Sequence, residues 1–195
     1  MKLPKNWPKG FQYSPVSVHV GVSSNIFRHL LFSPEAECQT KTAVRIETQT
    51  VHPHLAILKI TEKLKHRGKI PHPLAGQYGV FAKKKIPQCT ELGEYVGEIF
   101  FSQHHLEAPE CYKGVHCWRA SFGPFMLNIS SERIANELAF INDFRGLKEE
   151  PNVRTKWLLH QGNYHFGFET IRQIEPMEEL LIDYGKTWAK TRGIA

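Results

Sequence analysis

The sequence predicts a mainly β, β-rich α+β fold, and two observations on its second half support this. From residue 74 onward, short β-like segments alternate with turn signals, which is the pattern of a domain built from many short strands. The same stretch shows neither a βαβ rhythm nor an internal repeat. The chain has 195 residues, 41% of them hydrophobic, which suits one domain with its own core and a flanking segment.

The first part of the chain combines strand-like and helix-like patterns. Val16–Val20 and Thr42–Val51 alternate apolar and polar residues with the period of a β-strand. His54–Lys65 has apolar residues at helical spacing and predicts a short helix, although its β-branched residues weaken the pattern. The prolines that follow, Pro71 and Pro73, indicate a boundary.

The second part predicts strands and one brief helix. The strands are expected at Gly79–Lys83, Glu91–Phe101, Phe125–Ile129, Tyr164–Ile171 and Glu179–Tyr184. The helix is expected over Ser130–Asn136, with Ser130 or Ser131 as its N-cap.

Charge is distributed unevenly along the chain. The formal net charge is +6, and residues 1–70 contain eleven Lys or Arg but only four Asp or Glu. A basic segment therefore precedes a nearly neutral body. It is either a docking surface for an anionic partner, such as nucleic acid, chromatin or an acidic protein, or a solvated surface without a partner.

The composition also predicts where the protein works. No stretch approaches the roughly 20 apolar residues of a membrane helix, and the first residues do not resemble a signal peptide. We therefore expect an intracellular location, in the nucleus or the cytoplasm, and no membrane association. The four cysteines form no CxxC pair, so free thiols in a reducing compartment are expected. Metal ligation is not expected, since zinc spacing is missing from the one group of candidate ligands: His104, His105, Cys111, His116 and Cys117.

Four segments contain residues suited to chemistry. They are a glycine-rich turn entering a strand (Leu74–Ala82), a strand with Tyr95 two residues before Gly97 (Glu91–Ile99), an apolar run ending in Asn142-Asp143 with Pro151-Asn152 beyond it, and the stretch Ile171–Gly185. Each segment alone has an ordinary structural interpretation. These are a turn, a buried tyrosine beside a bulge, an Asx turn, and a strand–turn–strand.

In this order, however, the segments resemble the signature set of the SET-domain protein-lysine methyltransferases. The resemblance covers about residues 72–188. The matching stretches are Gly79-Val80-Phe81, Tyr95-Val96-Gly97, Phe140-Ile141-Asn142 with Pro151-Asn152, and most closely Ile174–Gly185. The resemblance implies several small curved sheets with a knot-like C-terminal segment. It also implies a division into a basic flanking region (1–70), a SET methyltransferase domain (71–188) and a short tail (189–195).

The implied activity is transfer of a methyl group from S-adenosyl-L-methionine to a lysine of a histone or another basic protein. Tyr184 and Tyr95 would be the catalytic residues, because a phenol offers an apolar wall, a π-face and a polar tip. Tyr95 and Ile182 would line the substrate channel, and Ile182, which lacks a hydroxyl, favours more than one methylation. The implied cofactor-binding residues are Gln77, Tyr78, Gly79, Asn142, Asp143, Tyr184 and Trp188.

The sequence also departs from the family pattern. Gln77 stands where the first glycine of the turn is usual, although Gly76 next to it permits a shifted turn. The other departures are Ala139 for Arg, Asp143 for His, Phe144 for Ser or Cys, Met177 for Gly, and six additional residues before Pro151. These departures keep a second hypothesis open, namely a catalytically degenerate SET-fold module that binds chromatin or nucleic acid through residues 1–70. A third is a SET-fold enzyme with a non-histone target.

Two stretches, residues 87–110 and 173–185, are rich in acidic residues and contain no Lys or Arg. They form either an acidic entrance that attracts a lysine-rich peptide or a counter-charge for Lys83–Lys85.

Overall fold

A computed structural model describes residues 3–20, 44–45, 51–62, 72–103, 117–122, 125–160, 163–191 and 193. In these parts of the chain strands predominate and helices are short, so the predicted β-rich class is confirmed. The strands of the first half are β1 Gln12–Tyr13, β2 Val18–His19, β3 Val44–Arg45, β4 Leu55–Lys59, β5 Tyr78–Ala82, β6 Glu91–Glu94 and β7 Glu98–Gln103. Those of the second half are β8 Cys117–Phe122, β9 Phe125–Ser130, β10 Ile134–Ala135, β11 Asn142–Asp143, β12 Val153–His160, β13 Asn163–Thr170 and β14 Leu181–Ile182. A 3-10 helix covers Glu137–Phe140 and the α-helix α1 covers Lys186–Thr191.

The strands form several small sheets rather than one large one. Two sheets have four strands, in the orders β3-β12-β13-β6 and β2-β7-β9-β8, and β4-β5, β1-β10 and β11-β14 form pairs. The longest pairing is antiparallel, between β12 and β13, and runs from Val153↔Thr170 to His160↔Asn163.

We call residues 178–182, which contain β14, the inserted segment, because they lie between two earlier parts of the chain. On one side, the Leu180 N–H donates to the Val80 carbonyl (2.8 Å) and the Ala82 N–H donates to the Glu178 carbonyl (3.0 Å). On the other side, β14 pairs in parallel with β11, so that Leu181 is the register partner of Asn142. Small sheets with a C-terminal segment bound between earlier strands confirm the expected fold.

The core is apolar and continuous across these sheets. Its fully buried side chains include Ile57, Ile86, Leu92, Leu127, Leu138, Ile141, Ile174 and Leu180. Residues before position 70 share this core, because β4 pairs with β5 and the rings of Trp7 and Phe11 pack against Phe140. The division at residue 70 stays a prediction.

The helix predicted over His54–Lys65 is wrong in the part that the structure describes. Residues Leu55–Lys59 form β4, with Leu55 and Ile57 buried and the residues between them more exposed. The strand conformation prevails here because β5 pairs with β4 along its whole length and the apolar side chains pack into the core. Residues 63–65 lie outside the described residues.

The helix predicted over Ser130–Asn136 is also wrong. Ser130 ends β9, and the 3-10 helix begins only after Asn136, whose side-chain oxygen accepts from the Leu138 N–H (3.2 Å). Ser131 does not cap a helix, because its hydroxyl donates to the Val96 carbonyl (2.6 Å).

The other predicted strands are found with shifted bounds. Glu91–Phe101 is divided into β6 and β7, and of Thr42–Val51 only residues 44–45 and 51 are described, the first two as β3. Strands β1, β8, β10, β11 and β12 were not predicted as strands.

Two predictions concern absences. Of the candidate metal ligands, His104, His105, Cys111 and His116 lie outside the described residues. Elsewhere, no group of three or more His, Cys, Asp or Glu in the described ranges is placed to hold an ion. Among the helices of the described ranges, none is long and apolar enough to span a bilayer.

Candidate functional site

Asn142, on β11, is held by both hydrogens of its side-chain amide. Its Nδ2 donates to the Tyr78 carbonyl oxygen (3.0 Å) and to Glu179 Oε1 (2.9 Å). Because a carbonyl and a carboxylate only accept, the amide can point only its nitrogen at them. Asn142 Oδ1 accepts no hydrogen bond from any residue that the structure describes. It is therefore the atom available to a ligand.

Glu179, which holds Asn142, is itself held by a histidine. Its Oε2 lies 3.1 Å from His72 Nε2, and the two side chains are 8% and 3% exposed. His72 Nδ1 accepts from the Leu74 N–H (3.1 Å), so the imidazole proton is on Nε2, which donates to Glu179. Burial raises the pKa of Glu179 to about 7, although the Asn142 hydrogen bond and the charge of Lys148 lower it. Burial lowers the pKa of His72, which keeps the imidazole neutral.

Asn152 completes this polar group from the start of β12. It is fully buried, and its Nδ2 donates to the Glu179 carbonyl (2.8 Å) while its Oδ1 accepts from the Leu181 N–H (2.7 Å). The side chain thus bonds to the main chain of the inserted segment as a neighbouring strand would. We call His72, Asn142, Asn152 and Glu179 the amide–carboxylate cluster.

The glycine-rich turn approaches this cluster closely. A Cβ added to Gly79 would lie 2.6 Å from Glu179 Oε1 and 3.2 Å from Asn142 Nδ2, so no other residue fits there without displacing them. The turn uses Gly76, whose φ is +94°, which accounts for Gln77 at the usual glycine position. Gln77 is exposed, its N–H donates to the Leu74 carbonyl and its carbonyl accepts from Ile60, so its main chain is already bonded within the protein.

Tyr184 is fixed at both ends. Its hydroxyl donates to the Ile141 carbonyl (2.6 Å), and its main-chain N–H donates to Asp143 Oδ2 (2.7 Å). A histidine is usual at position 143, and here the carboxylate takes up the Tyr184 N–H. Arg145 bonds to the same carboxylate (2.9 Å) and to Asp183 (2.7 Å), which ties the additional residues back onto the site. Helix α1 brings Trp188 edge-to-face against Tyr184, with ring centroids 4.8 Å apart.

Tyr95 lies in an aromatic surrounding. It is 7% exposed and meets Phe166 and Phe168 edge-to-face, with ring centroids 6.4 and 5.8 Å away. Trp118 stacks on Phe166, and Trp157 meets both of them edge-to-face. Burial raises the pKa of the Tyr95 hydroxyl, and the neighbouring Tyr184 raises it further, so Tyr95 stays protonated. We call Tyr95, Trp118, Trp157, Phe166 and Phe168 the aromatic cluster.

The structure thus brings together Tyr78, Gly79, Asn142, Asp143, Tyr184 and Trp188, and the phenols of Tyr95 and Tyr184 interact electrostatically. Ile182 is 9% exposed and belongs to the apolar core. Sequence reasoning missed His72 and Arg145, and it considered Glu179 only as part of an acidic stretch that forms either a channel entrance or a counter-charge for Lys83–Lys85. The signal for Glu179 was its position directly before the buried run Leu180–Ile182, where a carboxylate needs a partner.

Several described carboxylates of the two acidic stretches are buried or paired, although Glu175 is exposed and Glu91 partly exposed. Glu94 and Glu98 are 3% and 7% exposed and pair with His165 and Arg133. Glu178 pairs with Arg172, and Asp183 with Arg145. For these four carboxylates, the ion-pair partners are three arginines and a histidine. Glu107 and Glu110 lie outside the described residues.

Comparison with known families agrees with this geometry. The family model described as "SET domain" matches residues 77–185, which is more than half of the chain and includes the inserted segment and both tyrosines. The chain belongs to the SET domain family.

Curated relatives match more than half of this chain but only a small share of their own length. PR domain zinc finger protein 10 of Pongo abelii is 27% identical over 120 residues, and its counterpart in Mus musculus is 26% identical over the same length. In both cases the match covers 57% of this chain and 10% of the relative. The chain thus spans about a tenth of the length of the curated relatives it matches.

Solved structures with a SET domain are more distant. A chain of the Chaetomium thermophilum polycomb repressive complex 2 is 20% identical, with a TM-score of 0.47, and the match covers 67% of this chain and 15% of that one. KRYPTONITE, in complex with mCHH DNA, H3(1–15) peptide and SAH, is 21% identical with a TM-score of 0.47, over 70% of this chain and 24% of its own. Similarity at this level assigns no role to any residue here.

Proposed function

We propose that this SET domain protein is an S-adenosyl-L-methionine-dependent protein-lysine N-methyltransferase. The observation that carries the proposal is the position of two phenols beside one oriented amide. The hydroxyl of Tyr184 is fixed on Ile141, the Tyr95 phenol is close enough to interact with Tyr184 electrostatically, and Asn142, on the adjoining strand pair, has a side-chain oxygen to which no described residue donates. These side chains come from three of the four segments that resemble the family signature.

The residues present fit the proposed cofactor. Asn142 Oδ1 is an acceptor in need of a donor, and S-adenosylmethionine has donors at both its amino-acid end and its adenine end. The edge-to-face pair Tyr184–Trp188 offers an apolar aromatic wall. The main chain around Asn142 is supplied by Tyr78, whose carbonyl accepts from the amide, by Gly79 beside it and by Asp143 next in the chain. When bound, the cofactor would supply an electrophilic methyl on a sulfonium, whose C–S bond breaks as the N–C bond to the lysine forms.

The residues of the chain would prepare the lysine and hold it in line. Its amine must be neutral to attack, and its ordinary pKa is about 10.4. A channel bounded by the aromatic cluster removes water and so lowers that pKa, and the ammonium proton leaves to solvent before the transfer. Tyr95 is not the base, because it is protonated and burial keeps it so. The Tyr184 oxygen, whose hydrogen is given to Ile141, can direct its lone pairs at the polarised methyl group.

The proposed substrate is a lysine of a histone or another basic protein, and the proposed workplace is intracellular, in the nucleus or the cytoplasm. Ile182 has no hydroxyl to retain a water beside the amine, so we expect more than one methyl group to be added. The basic residues 1–70 would contact chromatin or nucleic acid.

The test is methyl transfer from radiolabelled S-adenosylmethionine to a panel of lysine-rich proteins that includes core histones. Tyr184→Phe removes one oxygen from the site, and we expect it to reduce the rate by at least about a hundredfold. Tyr13→Phe is the matched control, because it removes a phenol oxygen from a tyrosine that packs on Trp7, and it should leave the rate unchanged.

Binding is measured separately from turnover. A thermal shift with S-adenosylmethionine reports whether the pocket accepts the cofactor. Labelled lysine in the native protein and the Tyr13 variant, with almost none in the Tyr184 variant, supports the proposal. If there is neither label on any protein nor a thermal shift, the proposal is overturned in favour of the degenerate module that binds chromatin or nucleic acid.

A further inference from the structure

The charged environment of Asn142 has a feature that its role as a ligand contact does not require. The amide is oriented by a buried carboxylate, Glu179, and that carboxylate is in turn held by a buried neutral histidine, His72. Neither residue reaches the proposed ligand, since each is occupied with its neighbour in the chain Leu74–His72–Glu179–Asn142.

The hydrogen-bond directions show which protonation state this chain needs. Glu179 Oε1 accepts from Asn142 and Oε2 accepts from His72, so both oxygens must be acceptors. A proton on either oxygen would turn one acceptor into a donor and face it with an N–H. One of the two bonds must then break. The Asn142 amide then loses either its bond to Glu179 or the His72 bond that holds Glu179 in place.

We propose that Glu179 and His72 are positioning residues for the cofactor, which orient the Asn142 amide so that its oxygen faces a donor of the ligand, and that ligand affinity therefore rises with pH through neutrality. This proposal rests on the proposed function. The pKa of Glu179, which burial raises to about 7, puts the change within the accessible range.

Polar and charged groups face Glu179 from the elements packed against it. His72 approaches from the segment before β5, Asn142 from β11, and the charge of Lys148 from the turn after β11. The adjacent carboxylate, Glu178, is directed at Arg172. His72 does not titrate in this range, because burial lowers its pKa and its Nδ1 is already an acceptor.

The experiment measures the affinity for S-adenosylhomocysteine, which binds without reacting, by calorimetry between pH 5.5 and 8.5. The native protein should bind about fivefold more tightly at the upper end, the difference made by roughly one hydrogen bond. Glu179→Gln mimics the protonated carboxyl, and its affinity should be weak and independent of pH. His72→Ala removes a donor to the carboxylate, so its transition should move to higher pH.

His165→Gln is the matched control. It disrupts another histidine–glutamate contact of the same length, 3.1 Å, between the partly buried His165 and the buried Glu94. Its affinity profile should follow that of the native protein.

A second readout needs no ligand. In the NMR spectrum of the ligand-free protein, the side-chain amide resonances of Asn142 should shift with a midpoint near pH 7, and Glu179→Gln should abolish the shift. An Asn142 amide that does not respond to pH overturns the positioning role even if S-adenosylhomocysteine binds, and this native-protein measurement decides the matter if the variant does not fold. Absence of binding at every pH would remove the proposed function and this proposal together.

Discussion

The two halves of the site are equally buried but are specified in different ways. In the amide–carboxylate cluster, each contact is a hydrogen bond with a fixed direction, such as those from Asn152 to Glu179 and from Leu181 to Asn152. In the aromatic cluster, Phe166 contacts four rings through area and shape alone. A side chain of similar size should therefore be tolerated far better in the aromatic cluster than in the polar one.

Among substitutions that keep the size of the side chain, the largest effect is expected from Asn152→Leu, which keeps the branched shape but removes both polar atoms. The Glu179 carbonyl and the Leu181 N–H would be left buried and unpaired, at roughly 1–3 kcal/mol each. We expect a loss of about 4 kcal/mol in the free energy of unfolding, measured by denaturant titration. Gln173→Leu, on an exposed residue, is the control and should change stability little. A loss below about 1 kcal/mol for Asn152→Leu would mean that directed hydrogen bonds do not stabilise the amide–carboxylate cluster.

The next effect is a dependence of stability on pH that only the polar half should show. The pKa of Glu179 is raised from 4.5 to about 7 in the folded protein, so the folded state binds the proton more tightly than the unfolded state. Between those values, the folded protein retains a proton that the unfolded chain has lost, and the contribution to stability falls as pH rises. Relative to Glu179→Gln, the free energy of unfolding of the native protein should fall by about 3 kcal/mol between pH 4.5 and 7.5, as measured by denaturant titration at each pH. A constant difference between the two proteins across this range would contradict the shift.

A smaller loss of stability is expected for Phe166→Leu, which introduces leucine into the aromatic cluster as Asn152→Leu does into the polar one. Loss of edge-to-face and stacking contacts should cost about 1.5 kcal/mol, since leucine refills most of the volume. Phe166→Ala, which leaves a cavity, should cost about 3–5 kcal/mol. If leucine is as harmful at position 166 as at 152, the distinction between the two halves fails.

The smallest effect, and the only expected gain, concerns Met177. It stands at a usual glycine position of the family and has a φ of +63°, a conformation that costs a residue with a side chain about 1–2 kcal/mol. Met177→Gly relieves this strain but gives the unfolded chain more freedom, worth about 0.4–1 kcal/mol. The net gain should be about 0.5 kcal/mol by the same titration. Gln173→Gly, at a residue outside the left-handed region, should lower stability instead.

The sequence allowed much of this to be anticipated where neighbouring residues decide the outcome. The β-rich class follows from local alternation, and Tyr184 and Asn142 follow from ordered motifs that resemble a family. The pair His72–Glu179 was out of reach, because its members are 107 positions apart and neither lies at a recognisable spacing from the other. The predicted helix N-cap at Ser130 or Ser131 was wrong for a related reason. Ser131 has the chemistry of an N-cap, but its hydroxyl is used across the fold by Val96.

The inserted segment has a consequence for the order in which the protein can assemble. Leu180 pairs with Val80, a hundred positions earlier, and Leu181 pairs with Asn142. During synthesis, β5 and β11 leave the ribosome long before the strand that lies between them. Until the inserted segment has been synthesised, β5 and β11 lack the strand that packs between them. Tyr184 and Glu179 are then also missing from the site. Folding should therefore be slow and should finish late, and a nascent chain that stops before residue 178 should have no affinity for the cofactor at all.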